Sequence, residues 1–317
     1  MKTYRNLTIC LFLALFISIP ATAQLPVSLT LPQVSPLEER SITIGFTEIK
    51  LQYSSVGIKG REIWDGLIPY GEVWRAGANK NTIFSVSDDV LINGQPLPAG
   101  SYGFHTIPGE KEWTIIFSNN SDAWGSYFYD ESEDALRITV DSQEMDSKYE
   151  WMKFSFSEYT DTSLNISLKW AHRSVPFNVT IPREVTFAHI EKQFTSLPAF
   201  SWQGWMQGAE YTLSNNYEIE KGLEWANRAV GREENVRTLN MLARLQLVNG
   251  MTSESMSTLE NLITKFGDQW RAHVFAGEVH ALANHSEAAI SSYEKAISMI
   301  DNERFIQQLQ QRIQALK

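Results

Sequence analysis

Two periods of hydrophobic placement divide this chain. From Ile42 to Ile181 short apolar runs alternate with polar residues at a period of two, broken by Gly, Pro, Asn and Asp. That texture predicts strands at Ile42–Phe46, Lys50–Ser54, Thr82–Ser87, Val90–Ile92, Ser101–Ile107, Trp113–Ser118, Ala135–Val140, Trp151–Ser157, Ser163–Lys169 and Val175–Ile181. Asn93-Gly94, between Ile92 and Gln95, is a hairpin signal, because both residues tolerate positive φ. Short strands joined by turn residues predict an antiparallel β-sandwich or barrel.

After Pro182 the apolar period lengthens to between three and four, and Gly and Pro thin out. Thr186–Phe194 reads as a linking helix and Thr195–Ser201 as a loop. Gly222, Ser255 and Ala289 then recur at intervals of 33 and 34 residues, each followed seven positions later by Ala229, Leu262 and Ala296. Ala243 and Gly277 stand twelve positions before the last two. Small residues at such spacing let paired helices approach closely, as in tetratricopeptide repeats. In the first copy Glu210 occupies the expected small position and Ala226 the aromatic one. Asp301–Leu316 reads as a capping helix. The expected fold is thus α+β multidomain: a β-sandwich or barrel over 24–182, a link over 183–202, and tetratricopeptide-like helical repeats over 203–317. A plain helical bundle is the competing reading of the last part.

The first 23 residues stand apart. Lys2 and Arg5 precede an apolar stretch from Leu7 to Ile19, and Ala21-Thr22-Ala23 ends it, which is the pattern of a signal peptide cut before Gln24. An exported, periplasmic or extracellular protein is expected, not an integral membrane one. Cys10, the single cysteine, lies in that signal, so the mature chain would have no disulfide and no Cys-ligated zinc. The 27 basic residues minus Lys2 and Arg5 leave 25 against 37 acidic, a charge of about −12. An acidic chain repels phosphate backbones, so nucleic acid is not an expected partner.

The run from Lys59 to Trp113 is the densest in Gly, Pro and Trp, and it carries the candidate ligand-binding residues Arg61, Trp64, Trp74, Arg75, Asn79 and His105. Converging arginine forks would fit a carboxylate, phosphate or sulfate, with indole walls beside them. The same loop also reads as structural, with Arg75 clipped to a carboxylate such as Asp65 or Glu72 and Asn79 holding the turn. The structural account is preferred, because loops of this kind commonly need an Arg–carboxylate clip. Trp124, Tyr127, Phe128 and Tyr129 form either a sugar-stacking ledge or a core-closing turn. Asp130, Glu131, Glu133 and Asp134 lack the spacing of a calcium loop, and a solvated loop is expected there. His273 and His280 sit seven apart but read as packing positions, so neither metal nor cofactor is expected. No nucleophile motif or phosphate loop occurs.

In the helical part Arg237, Asn240, Arg244, Arg271 and Glu278 fall where a repeat array lines its concave groove. A non-enzymatic binding or scaffold protein recruiting a protein or peptide partner through its repeats is the leading expectation. One alternative is a hydrolase or lyase with its site at Arg61, Arg75, Asn79 and His105. Another is a carbohydrate-binding module that stacks glycan on Trp64, Trp74 or Trp124.

The segments KGREIW, GLIPYGEVWRAGAN, the strand Thr82–Val86, LPAGSY and IPGEKEW, in that order, resemble the DUF2911 family over roughly Val27 to Thr180. Trp64 and His105 stand where other apolar residues are expected. The resemblance implies an exported bacterial protein, often with a tetratricopeptide-like tail. It implies no cofactor, substrate or site.

Overall fold

A computed structural model describes residues 31–317. The expected signal peptide and its cleavage point lie outside the described residues. Ten strands come first: β1 Leu37–Ile44, β2 Thr47–Ser54, β3 Thr82–Val86, β4 Val90–Ile92, β5 Gln95–Leu97, β6 Gly100–Ile107, β7 Glu112–Ser118, β8 Asp134–Asp141, β9 Gln143–Ser157 and β10 Ser163–Thr180. All pair antiparallel, in a six-stranded sheet ordered β1-β2-β3-β6-β7-β8 and a four-stranded sheet ordered β5-β4-β10-β9. The β2 pattern shows why: Ile49, Leu51 and Tyr53 alternate inward and are almost fully buried. Across the sandwich Phe104 of β6 meets Phe154 of β9 at 5.4 Å and Phe177 of β10 at 5.8 Å.

Several strands depart from the sequence expectation: β2 begins at Thr47, three residues before Lys50, and β5 has no counterpart among the expected strands. Ile42–Phe46 is not a strand of its own; β1 begins at Leu37, and Gly45 and Phe46 turn the hairpin into β2. Ser163–Lys169 and Val175–Ile181 are one strand, β10, whose register shifts at Ala171 (φ 50°). Pairing with β9 ends at Ser174 and pairing with β4 begins at Val179, so Pro176 sits where no ladder donor is required. Residues 143–150 extend β9 well before Trp151.

Eight helices follow: α1 Arg183–Gln193, α2 Trp202–Asn215, α3 Ile219–Arg232, α4 Val236–Val248, α5 Thr252–Phe266, α6 Trp270–Leu282, α7 Ser286–Ile297 and α8 Glu303–Ala315. The segment expected as a loop after α1 contains one helical turn, Leu197–Phe200. Helix α1 faces both ways. Val185 packs on the β core and His189 Nε2 meets Asp88 Oδ1 at 2.7 Å, while Phe187 stacks on Trp225 of α3 at 5.1 Å.

Helices α2/α3, α4/α5 and α6/α7 are three hairpins, closed by α8, which buries Leu309 and Ile313. The repeat positions are contacts between paired helices. Ser255 Oγ donates to Ala243 O at 2.7 Å, and Gly277 gives way to the Tyr293 ring. In the first copy the degeneracy is smaller than the sequence implies. Glu210 is exposed, and Gly208, two positions earlier, lies against the Trp225 ring as Gly277 lies against Tyr293, with Gly222 against Thr212. Trp225, not Ala226, supplies the aromatic ring there. Among the described residues no helix is long and apolar enough to cross a membrane.

Candidate functional site

The loop 74–79 is pinned on both sides. Trp74 exchanges backbone hydrogen bonds with Thr106 of β6, at 2.7 and 2.8 Å, and Ala78 N–H donates to Ser54 O at 3.1 Å. Between them Ala76 and Asn79 take left-handed conformations (φ 49° and 59°), and Thr82 Oγ1 donates to Ala76 O at 2.9 Å. Gly77 sits so close to Thr82 Oγ1 and Ser54 O that a Cβ would meet them at 2.9 and 3.3 Å. This path buries Ala76 completely and turns the side chain of Arg75 into a cavity of about 670 Å³.

That cavity has a cationic wall and an apolar floor. Lys59, Arg61 and Arg75 line it with a single acid, Glu72, on a chain whose overall charge is −10. Trp74 and Trp170, stacked at 5.7 Å, form the floor, and Tyr127 and Ser126 close one rim. Arg61 is committed to its own turn, with Nε donating to Ile58 O at 3.0 Å and an Nη to Gly57 O at 2.6 Å. Lys59 reaches over the Trp151 ring at 5.8 Å.

Arg75 differs from both. Its Nε is buried without a hydrogen-bond partner, and no ion pair among the described residues includes it. Burial pulls its pKa below the ordinary arginine value. The expected clip to Asp65 or Glu72 is therefore corrected. Backbone bonds around Trp74, Ala76 and Ala78 hold the loop in place, so it needs no Arg–carboxylate pair.

The remaining candidates scatter. Trp64 and Trp74 belong to a packed quartet with Trp113 and Trp170, at ring separations of 4.9 to 6.1 Å. Asn79 opens on a neighbouring cavity, its Nδ2 3.4 Å from Ser54 Oγ. His105 is 2% exposed and lines neither space. Its Nε2 lies 3.4 Å from Asn81 Nδ2 and its ring 5.4 Å from that of Tyr129. Burial, and secondarily the charge of Arg75, lower its pKa to about 4, so it is neutral at pH 7.

The four aromatic residues after Ala123 divide. Trp124, Tyr127 and Phe128 are exposed, with Trp124 and Tyr127 parallel at 6.1 Å, while Tyr129 donates to Asp134 Oδ2 at 2.7 Å. The acidic run folds around Arg137, which contacts Glu131 and lies 3.5 Å from Asp134. Among the described residues no metal-ligating cluster is present. Sequence reasoning missed Trp170 and Asn81, one hidden in an ordinary apolar strand and the other in a loop without a motif.

On the helices, Arg237 is exposed and Arg244 is half-buried, both on α4. Asn240 is 6% exposed, too enclosed to line an open groove. Arg271 covers the Trp270 ring at 4.4 Å, and Glu278 accepts from Arg312 of α8 at 2.6 Å.

No curated protein matches the chain. A crystal structure of yeast Tom70 is similar at 16% identity over 42% of this chain and 28% of that chain, with a TM-score of 0.32. The chain thus spans under a third of that neighbour's length. The family model DUF2911, described as a protein of unknown function, matches residues 35–179. That match begins just before β1 and ends one residue short of the end of β10, so the part of the chain that is similar to the DUF2911 family is its β-sandwich.

Proposed function

We propose that this chain is an exported, non-enzymatic binding protein whose β-sandwich holds a small organic anion and whose helical repeats recruit a protein partner. One observation carries the first part. Arg75 is a partly desolvated cation in a cavity, with no counter-ion among the described residues. Withdrawing a charge from water is costly unless it is paired, and a planar fork matches a carboxylate in two places. The cavity volume suits a small ligand, and the indole floor would cover its organic body.

Binding without turnover is the better account of the same residues. A hydrolase or lyase would need Arg61, Arg75, Asn79 and His105 around one reacting group. Here His105 is enclosed behind the sheet, and Asn79 faces a different space. The recruiting role rests on Arg237 and Arg244, whose charges meet no carboxylate among the described residues. Export rests on the N-terminal pattern alone.

The test is a thermal-shift screen of the full chain against organic carboxylates, sulfates and phosphates and their neutral analogues. A ligand that binds only the native state raises the melting temperature. Stabilisation by an anion class, lost in Arg75→Leu, is expected. No shift with any anion, or equal shifts in Arg75→Leu, would overturn the proposal.

A further inference from the structure

We infer that the anion is an acidic saccharide, with its carboxylate on Arg75 and its neutral hydroxyls in an adjoining amide-lined cavity. The inference rests on the anion-binding proposal above and adds the ligand's class.

A second cavity, of about 350 Å³, adjoins the first. Both are lined by Ser35, and successive loop residues divide between them: Gly77 and Ala78 face the Arg75 cavity, Asn79 and Lys80 the other. Their chemistry differs. Gln52, Ser54, Asn79 and Asn81 give the second cavity neutral amides and a hydroxyl, with Lys80 as its one charged residue. An amide offers a donor and an acceptor side by side, which is what adjacent sugar hydroxyls require. An aliphatic or aromatic acid would make no use of those groups.

Asn81 is the specific sign. It is 4% exposed, and its Oδ1 has no hydrogen-bond partner among the described residues. Asn81 Nδ2 lies 3.4 Å from His105 Nε2, and Oδ1 is the end of the amide left without a partner. A buried acceptor without a donor is uncommon in native proteins, and a sugar O–H would satisfy it.

The exposed rings complete the arrangement. Asn81 N–H donates to Ala123 O at 3.2 Å, and Lys80 bridges to Trp124, so the aromatic loop starts beside the amide cavity. Tyr127 of the same loop lines the Arg75 cavity. Trp124 and Tyr127, parallel within 9°, are 55% and 79% exposed and offer flat faces to the C–H side of a pyranose. Cation and amides on the 74–81 loop thus lie next to the stacking faces of the aromatic loop bonded to it.

The test is isothermal titration of the full chain with digalacturonate and with glucuronosyl-N-acetylglucosamine. The comparison ligands are their carboxyl-reduced counterparts and benzoate. Uronate disaccharides should bind at least tenfold more tightly than either comparison class. Asn79→Gly keeps the left-handed backbone and removes the amide, and Trp124→Ala removes an exposed face. Each should weaken uronate binding at least threefold, and Asn79→Gly should leave benzoate unchanged, while Arg75→Leu abolishes both. Gln52→Ala serves in place of Asn79→Gly if that variant melts early. Benzoate binding as tightly as the uronates, with no effect of Asn79→Gly or Trp124→Ala, would overturn the saccharide class and leave the anion site standing. Neutral sugars binding equally well, or no anion binding at all, would overturn both.

Discussion

The guanidinium carbon of Arg75 lies 6.0 Å from the centroid of the Trp124 ring, a cation–aromatic contact at the mouth of the β-sandwich cavity. The two residues come from loops 49 positions apart in the chain. They meet because Trp74 is bonded to β6 and Asn81 to Ala123, which closes the aromatic loop over the arginine. The contact offsets only part of the cost of taking the charge from water, since an aromatic face is a weaker partner than a carboxylate. The remaining cost is what a ligand anion would recover.

His105 gives the fold a dependence on pH. Its folded pKa of about 4 lies below the unfolded value near 6.5, with burial the main cause and Arg75 the second. Above pH 6.5 both states are neutral there, and the residue contributes no slope. As pH falls from about 6.5 to about 4 the unfolded state takes up a proton that the folded state refuses, so stability drops, by roughly 3 kcal/mol in all. Chemical denaturation of wild type and His105→Phe across that range isolates the effect. The wild type should lose more stability than the variant on acidification, and equal slopes would contradict the enclosed neutral histidine.

Two helical glycines should respond oppositely to alanine. At Gly277 a methyl group would run into the Tyr293 ring, itself 3% exposed and without room to retreat. Gly277→Ala should cost about 1–3 kcal/mol. At Gly231, near the end of α3, a methyl group meets nothing within 4 Å, so Gly231→Ala should stabilise by about 0.5–1 kcal/mol through helix propensity. Paired urea melts give both signs at once. A neutral Gly277→Ala would mean that the hairpin of α6 and α7 is looser than described.

Much of this architecture is legible in the sequence, and the gaps share a cause. Burial writes a pattern, and exposure does not. β2 declares itself through alternating apolar residues and β7 through a buried apolar run, whereas the start of β1 (Leu37–Ser41) and the start of β9 (residues 143–150) are largely exposed and read as polar loop. β10 splits in two on paper because its register shift at Ala171 carries His172 and Arg173, the former outside the core. The 33–34-residue interval marks the second and third hairpins, but the first carries its small residue two positions early, at Gly208. Arg75 is conspicuous as a residue type, yet its missing carboxylate is a fact of three dimensions. So is the pairing of Asn81 with His105, which are 24 residues apart.

Glu278 was expected on an open groove, yet Arg312 of α8 occupies it at 2.6 Å. The carboxylate is a quarter exposed and the guanidinium half exposed, so water screens much of the attraction. Arg312→Ala should therefore cost no more than about 1 kcal/mol by thermal or urea melting. A partner peptide that needs Glu278 would bind that variant more tightly than the wild type. Unchanged affinity would remove Glu278 from the recruiting surface while leaving Arg237 and Arg244 in it.

The central claim is that Arg75 is kept for a ligand and not for the fold, and Arg75→Leu separates the two on one sample. Melting and anion titration of the full chain are measured together. With no carboxylate left unpaired by the change, stability should stay within about 1 kcal/mol of wild type or rise, and anion-induced stabilisation should vanish. A loss of about 3–5 kcal/mol, the size expected from breaking a buried ion pair, would contradict the account, as would anion binding that survives without the guanidinium.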